Sequence, residues 1–320
     1  MKVTELIKRN ERGTISVEVE PPTLGVGIDK LWEKLDEIVA LGIHWVDITY
    51  HTEDVLGYDP AGKPICETLK PGTEMVATAI LERYRDRKIT VVPHVICTGF
   101  NARETQEYIT ALSYHPRINN FLALRGDPPK GPNKEFLPFV PKPGGYAHAS
   151  DLIKQIADLR QGIYLNGKNG KLIDSDIGGA CYPEGYQGKP VKDQLYWLRH
   201  NQDLGANYFT TQVFFDNESF LRFRDLAVRE SITVPIIPGI QPLASLRYLD
   251  TMPPKFGCTV PEKLERKIRE YAANPEEVQR IGVDWCIDQA TQLQREGVPG
   301  LHFYANRQHS VIVDTIRALK

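Results

Sequence analysis

No two of the five cysteines (Cys66, Cys97, Cys181, Cys258 and Cys286) are close enough in sequence to form a Cys-x-x-Cys pair. That spacing, and the odd number, argue against a zinc site and against a disulfide framework. The chain also lacks any apolar run longer than a strand, so no membrane span is expected. It lacks excess charge of either sign. A formal net charge of -2 gives no global field to recruit nucleic acid or an anionic lipid surface. The start, Met1 to Gly13, is amphipathic and charged. It has neither the apolar core nor the small-residue cleavage site of a signal peptide, so a cytoplasmic location is the default expectation. No Gly-x-Gly-x-x-Gly fingerprint follows the first strand, which disfavours a dinucleotide-binding open sheet. Internal repeats and low-complexity tracts are missing too.

What is present is ordinary globular material: 320 residues, 41% hydrophobic and 25% charged, enough for one large α/β barrel. Strand-like and helix-like segments alternate almost throughout. Strands are expected at Thr14–Glu20, Trp45–Tyr50, Lys88–Cys97, Asn119–Gly126, Ile177–Pro183, Tyr208–Phe215, Val234–Pro238 and Leu301–Ala305. Helices are expected near Asp29–Leu41, Glu74–Arg85, Ala102–Tyr114, Ser150–Arg160, Val191–Leu204 and Glu218–Arg229, with a final one after the last strand. Strands separated by helices imply a parallel sheet, and eight such units favour closure into a β8α8 (TIM) barrel. The segment Pro261–Gln294 reads as extra helix between strands 7 and 8. The whole chain, 1–320, reads as one catalytic domain. Two long connections, His51–Gly72 and Pro128–Gly145, read as functional loops on the active face.

Alternation along four strands groups Ser16 with Glu18, Asp47 with Thr49, Arg125 with Asp127, and Thr210 with Gln212. Val17 and Val19, Val46 and Ile48, and Leu122 and Leu124 are expected on the opposite faces. Polar residues shared by the ends of several barrel strands suggest a common pocket. Glu18 lies between two valines, and a carboxylate there has either an ion-pair partner, such as Arg125, or a task as a general acid. Asp127 after Arg125-Gly126 is either a strand-end turn or a carboxylate aimed into the pocket. His94 on an apolar strand is a core histidine or a site residue. No carboxylate–histidine spacing around it suits a metal. Gln212 is a buried amide or a group that recognises a heterocycle. Arg307 is a solvated charge or a carboxylate clamp.

Taken in order, nine segments resemble the methylenetetrahydrofolate reductase family. They are Ser16-Val17-Glu18-Val19-Glu20-Pro21-Pro22, Ile48-Thr49-Tyr50, Pro93-His94, Ala123-Leu124-Arg125-Gly126-Asp127, Ala149-Ser150-Asp151-Leu152, Tyr182-Pro183-Glu184, Gly205-Ala206-Asn207 with Thr211 to Asp216, Ile236-Ile237-Pro238-Gly239-Ile240, and His302-Phe303-Tyr304. Each is weak alone, and their order and spacing over nearly the whole chain make the match specific. The form is that of bacterial members built on the catalytic domain only.

The resemblance implies an oxidoreductase that reduces 5,10-methylenetetrahydrofolate to 5-methyltetrahydrofolate through FAD, with NADH or NADPH as electron donor. It implies Glu18 as general acid and Asp127 as the carboxylate that stabilises the iminium cation. Gln212 and Arg307 fall on substrate positions. Thr49, Tyr50, His94, Arg125, Gly126, Asp127, His148, Ala149 and Tyr182 fall on FAD-contact positions. The expected partner is the small folate molecule, without nucleic acid or membrane. A homo-oligomer is expected, and a protein that delivers electrons is a further candidate partner. The chain departs from the family pattern at Tyr186, where relatives have His, and at Gln194 and Asn201, where relatives offer Asp and Lys to the FAD. Those departures keep two alternatives open: hydride passed directly from nicotinamide to folate without flavin, or a folate-binding subunit without catalysis.

Overall fold

The computed structural model describes residues 1–10, 13–186, 188–305 and 309–320. Among them a ring of parallel strands closes on itself. It comprises β1 (Thr14–Val19), β2 (Trp45–Ile48), β5 (Thr90–Ile96), β6 (Asn120–Leu124), β7 (Asp176–Cys181), β8 (Tyr208–Thr211), β9 (Ile236–Ile237), β10 (Gly239–Ile240) and β11 (Gly300–Tyr304). The expected seventh strand is split at Pro238. Ile236–Ile237 pairs with β8 and Gly239–Ile240 pairs with β11, so the two short pieces together complete the barrel. Proline lacks the N–H that a continuous ladder needs there.

Helices α2 (Asp29–Ala40), α3 (Thr73–Arg83), α4 (Ala102–Ser113), α5 (Ala149–Arg160), α6 (Val191–Leu204), α7 (Asn217–Arg229) and α11 (His309–Ala318) surround the ring. Val17, Val46, Ile48, Val91, Phe121, Phe209 and Phe303 point outward and build the main core with the buried stripes of these helices. That is the face expected for the valines of the first strand and for Val46 and Ile48.

Leu122 and Leu124 do the opposite of what was expected. They face the barrel interior, where Leu122 meets Trp45, Val92, Tyr208 and Ile237. The alternation that grouped Arg125 with Asp127 on an inward face fails because β6 ends at Leu124. The chain then turns through Gly126, whose φ of 83° suits glycine, and a Cβ there would stand 2.8 Å from Thr98 Oγ1. Arg125 and Asp127 are therefore loop residues. So are Thr49, Tyr50, Tyr182 and Gln212, because the second, fifth and sixth expected strands also stop short, at Ile48, Cys181 and Thr211.

Helix α1 (Val3–Arg9) plugs the N-terminal end of the barrel with Val3 and Leu6. Its first free N–H groups are met from the strands below. Val3 N donates to Asn120 Oδ1 at 2.8 Å, and Thr4 N and Oγ1 donate to Asp176 Oδ2 at 2.9 and 2.6 Å. Gly178 leaves room for Tyr208, since a Cβ there would lie 2.4 Å from the ring.

One further departure concerns the connection after β2. The His51–Gly72 stretch, expected as loop, carries the antiparallel hairpin of β3 (Asp54–Tyr58) and β4 (Pro64–Glu67). The helical segment expected over Pro261–Gln294 is present as α9 (Glu262–Glu270) and α10 (Pro275–Arg295), and α8 (Leu246–Phe256) precedes them. They form a second core around Leu249, Leu264, Ile268, Val278 and Ile281. Among the described residues no helix is long and apolar enough to cross a membrane.

Candidate active site

Above the plug, the inward positions turn from apolar to polar. β1 contributes Ser16 and Glu18, β2 Asp47, β5 His94, and β11 His302 and Tyr304. Strand register places Glu18 beside Asp47 on one side and beside Tyr304 on the other. His94 Nε2 lies 3.8 Å from Glu18 Oε2 and 4.0 Å from Asp47 Oδ1. His302 Nδ1 lies 2.9 Å from Ser16 Oγ and 3.6 Å from Asp47 Oδ2. Tyr304 donates its hydroxyl hydrogen to the Thr211 carbonyl at 2.6 Å.

Burial controls the charges of this floor. Asp47 and His302 are each 2% exposed, and His94 is 4% exposed. Burial pushes His94 down to about 3, with His302 and His51 adding to the shift. It pushes His302 down to about 3 as well. Both imidazoles are therefore neutral at ordinary pH. Burial, then the Glu18 charge, holds Asp47 well above the usual carboxylate range. The Tyr304 phenol is raised by burial and by Glu18. Glu18 itself is only half-buried, so it stands between this floor and the mouth.

The mouth is lined by the loops that follow the strands. Thr49 Oγ1 is 2.9 Å from His51 Nε2. Arg125 lays its guanidinium over Phe139, 5.1 Å from the ring centre, and donates to the Tyr186 hydroxyl at 3.0 Å. Tyr182 packs on Tyr186 with ring centres 4.2 Å apart. Asp127 is exposed, and its charge acts on His51 and on Tyr182. His148 precedes the first turn of α5. Its carbonyl accepts from Cys97 Sγ at 3.5 Å, and its ring stacks on Trp197 at 5.8 Å. Ala149 opens the helix. Gln212 is half-buried beside Tyr182, its Oε1 accepting from Val213 N at 2.8 Å.

The fold thus gathers Glu18 and His94 beneath Thr49, Arg125, Gly126, Asp127 and Tyr182. Tyr50 sits to one side in an aromatic cluster, 5.1 Å from Phe100 and 5.3 Å from Tyr108. The ion pair of Glu18 with Arg125 considered from sequence is not the arrangement found: Arg125 turns to Phe139 and Tyr186. Arg307 lies outside the described residues.

Ser16 and Asp47 are where the strand alternation expected them, on the polar face that lines the common pocket, whereas His302 was not singled out for it. Its signal was available: His302 stands between Leu301 and Phe303.

Two features at the mouth are of the kind that could hold a phosphate-bearing cofactor. Arg125 and the N-terminus of α5, which carries partial positive charge, flank the mouth, and both favour an anionic group. Ser150 and Asp151 in the first turn of α5 also line a cleft of about 410 Å³, together with Tyr146, Lys154, Tyr164 and His200. On α6, Gln194 is buried, and Asn201 Oδ1 is buried without a hydrogen-bond partner among the described residues. Among those residues no group of three or more His, Cys, Asp or Glu is placed to hold a metal ion.

A sequence model described as methylenetetrahydrofolate reductase matches residues 2–320. The chain belongs to that family. It is 29% identical to the 5,10-methylenetetrahydrofolate reductase of Pectobacterium carotovorum, over 92% of this chain and 85% of that one. It is 28% identical to a probable NADH-type methylenetetrahydrofolate reductase of rice, over 95% of this chain but 48% of the rice protein. The chain therefore spans about half the length of the plant relatives it matches. Among solved structures, a Clostridium thermocellum protein described as binding two copies of 5-methyl-5,6,7,8-tetrahydrofolic acid shares the fold. Its TM-score is 0.63 at 19% identity, covering 99% of this chain and 97% of that one.

Proposed function

We propose that this chain reduces 5,10-methylenetetrahydrofolate to 5-methyltetrahydrofolate, using bound FAD and NADH or NADPH. The observation that carries the reading is the placement of Glu18. It rises half-buried from a floor of neutral histidines toward a mouth lined by Arg125, Asp127 and Tyr182, in a barrel of this family.

The difficult step is opening the five-membered ring that bridges N5 and N10. Glu18 gives its proton to N10, which makes that nitrogen a leaving group. The C–N10 bond breaks and a 5-iminium cation remains on the folate. Asp127 presents a fixed negative charge to that cation. Gln212 and Arg307 are assigned to the substrate. Thr49, Tyr50, His94, Arg125, Gly126, His148, Ala149 and Tyr182 are assigned to the flavin side. When bound, the flavin supplies the hydride that converts the iminium carbon to a methyl group.

The test is an anaerobic assay of methylenetetrahydrofolate reduction, with and without added FAD and with each nicotinamide. Turnover that needs FAD supports the reading. A second reading, direct hydride transfer from nicotinamide, is favoured by Gln194 and Asn201, which offer the ADP half of FAD no formal charge. Turnover without flavin, from protein that shows no flavin absorption, would establish it. Folate binding without turnover from any donor would instead mark a binding subunit.

A further inference from the structure

Gln241 follows β10 at the mouth of the barrel, and no step above uses it. We propose that Gln241 is a further substrate-binding residue, whose amide pairs with the cyclic-amide edge of the folate's pterin ring. The proposal rests on the reading of this site as a folate reductase and adds a residue to it.

Position comes first. The inward positions of the split strand climb in steps of two. Ile237 lies in the interior cluster with Leu122 and Tyr208, whereas Ile236 and Ile240 belong to the outer core. Gly239 faces inward too, since a Cβ there would stand 2.9 Å from the Tyr304 ring. The next inward position is Gln241. No left-handed turn intervenes, as Gly126 does after β6. Pro242 follows, and the residue before a proline is held extended, so the alternation runs on past β10. Register agrees: Gly239 and Ile240 pair with His302 and Phe303, which brings Gln241 level with Tyr304.

Gln241 is 7% exposed, and among the described residues its side-chain amide has no hydrogen-bond partner. A buried amide has a donor and an acceptor to satisfy, and leaving both unmet is costly. A ligand that offers an acceptor and a donor side by side removes that cost. A cyclic amide does so, its C=O and N–H matching the glutamine's N–H and C=O. Pterin and isoalloxazine both carry such an edge, and the ring of strands separates them. β10 stands across the barrel from β5 and β6, which carry His94 and lead into Arg125 and Asp127 on the flavin side. On its own side, Gly239 N donates to Thr211 Oγ1 at 2.8 Å, tying β10 to the end of β8, where Gln212 follows. Gln212 already accepts from Val213 N with its Oε1. Gln241 is therefore the amide of this quarter with both halves open to a heterocycle.

Gln241→Met tests this, because it keeps length and removes both hydrogen-bonding groups. Binding of 5-methyltetrahydrofolate, of a tetrahydropterin without the benzoylglutamate tail, and of FAD is titrated beside the melting temperature. The expected result is a Kd for both pterins raised about 10–100-fold, with FAD affinity and melting temperature unchanged. Equal pterin binding in wild type and variant overturns the proposal. So does a loss that falls on FAD, which would give the amide to the flavin, or a loss confined to the compound with the tail. Should Gln241→Met fail to fold, Gln241→Glu keeps the volume and the polar end, loses the N–H donors, and carries the same expectation. If the pterins bind as expected but the wild type never reduces methylenetetrahydrofolate, the assignment of the reaction fails while the binding role stands. If the wild type turns over and the variant binds pterin equally well, only the role of Gln241 falls.

Discussion

Arg125 donates to the Tyr186 hydroxyl at 3.0 Å, across the mouth of the barrel. Tyr186 is one of the positions that the resemblance marks as a departure, and this contact is what its phenol makes in the fold. The phenol steers the guanidinium, and Tyr182 packs on the phenol ring from the side. The isoalloxazine side of the proposed flavin site is thereby organised by Tyr186 as well as by Arg125. On the proposed reading, Gln194 and Asn201 on α6 belong to the other half of the cofactor.

FAD affinity is accordingly expected to be limited at its diphosphate end. Asn201→Lys should tighten FAD about tenfold or more, since a charge-assisted contact contributes roughly 1.5–3 kcal/mol. FMN affinity should change little. Fluorescence titration of the apoprotein with each flavin checks this. Equal affinities for FAD in wild type and variant would mean that another cation, such as Lys154, already serves the phosphates.

Glu18→Gln should keep the fold and the flavin but stop folate reduction, because the amide has no proton to give N10. Reduction of the flavin by nicotinamide should continue, since that half-reaction needs no proton at N10. Separate half-reaction kinetics give the answer. Folate turnover within tenfold of wild type would remove Glu18 from the role of acid.

Asp127→Asn should slow the folate half-reaction by ~10²–10³ without abolishing it, as losing a fixed electrostatic contact typically does. Asp127 is exposed, so its charge is worth most once flavin and folate have displaced water from the mouth. An unchanged rate in single-turnover experiments would contradict the role.

Acid stability should report the two buried histidines. In the native barrel His302 stays neutral down to about pH 3. In the unfolded chain it binds a proton below about 6.5. Between those values the unfolded state holds the extra proton, so stability rises with pH and is lost as pH falls. The slope is about 1.4 kcal/mol per pH unit for each histidine. His302→Gln should flatten the slope by about that amount, as measured by urea unfolding at pH 7 and pH 5. A variant with the wild-type slope would show that His302 is protonated in the native protein.

The barrel was legible in the sequence because its outward strand faces and helix stripes repeat with clean periods: Val17 and Val19, or Leu31, Leu35 and Ile38. The interior was not, because inside a barrel both faces of a strand are buried and alternation stops reporting which side is solvent. That is why Leu122 and Leu124 were assigned outward. It is also why His302 was not read as a pocket residue. Glu18, His94, Arg125 and Gln212 were legible mainly through a family resemblance. What that resemblance could not convey is that Arg125 pairs with an aromatic hydroxyl, or that a second carboxyl stands beside Glu18. Both depend on neighbours distant in sequence. The β3–β4 hairpin was hidden for another reason: its strands are short, β4 is exposed throughout, and neither carries an alternating apolar face.

The split at Pro238 makes one seam of the barrel unlike the others. No single strand there is bonded along its length to both neighbours, and the hoop is clasped by side chains as well as backbone. Gly239 N donates to Thr211 Oγ1 at 2.8 Å, and Tyr304 reaches the Thr211 carbonyl. The three helices α8 to α10 run from β10 to β11 on one side of this clasp and pack over Val213 and Phe215, which follow β8 on the other. They act as a splint. Shortening that insertion would loosen the circumference rather than trim an ornament, and deuterium would enter first at Ile236 to Ile240, where the ring would begin to uncurl.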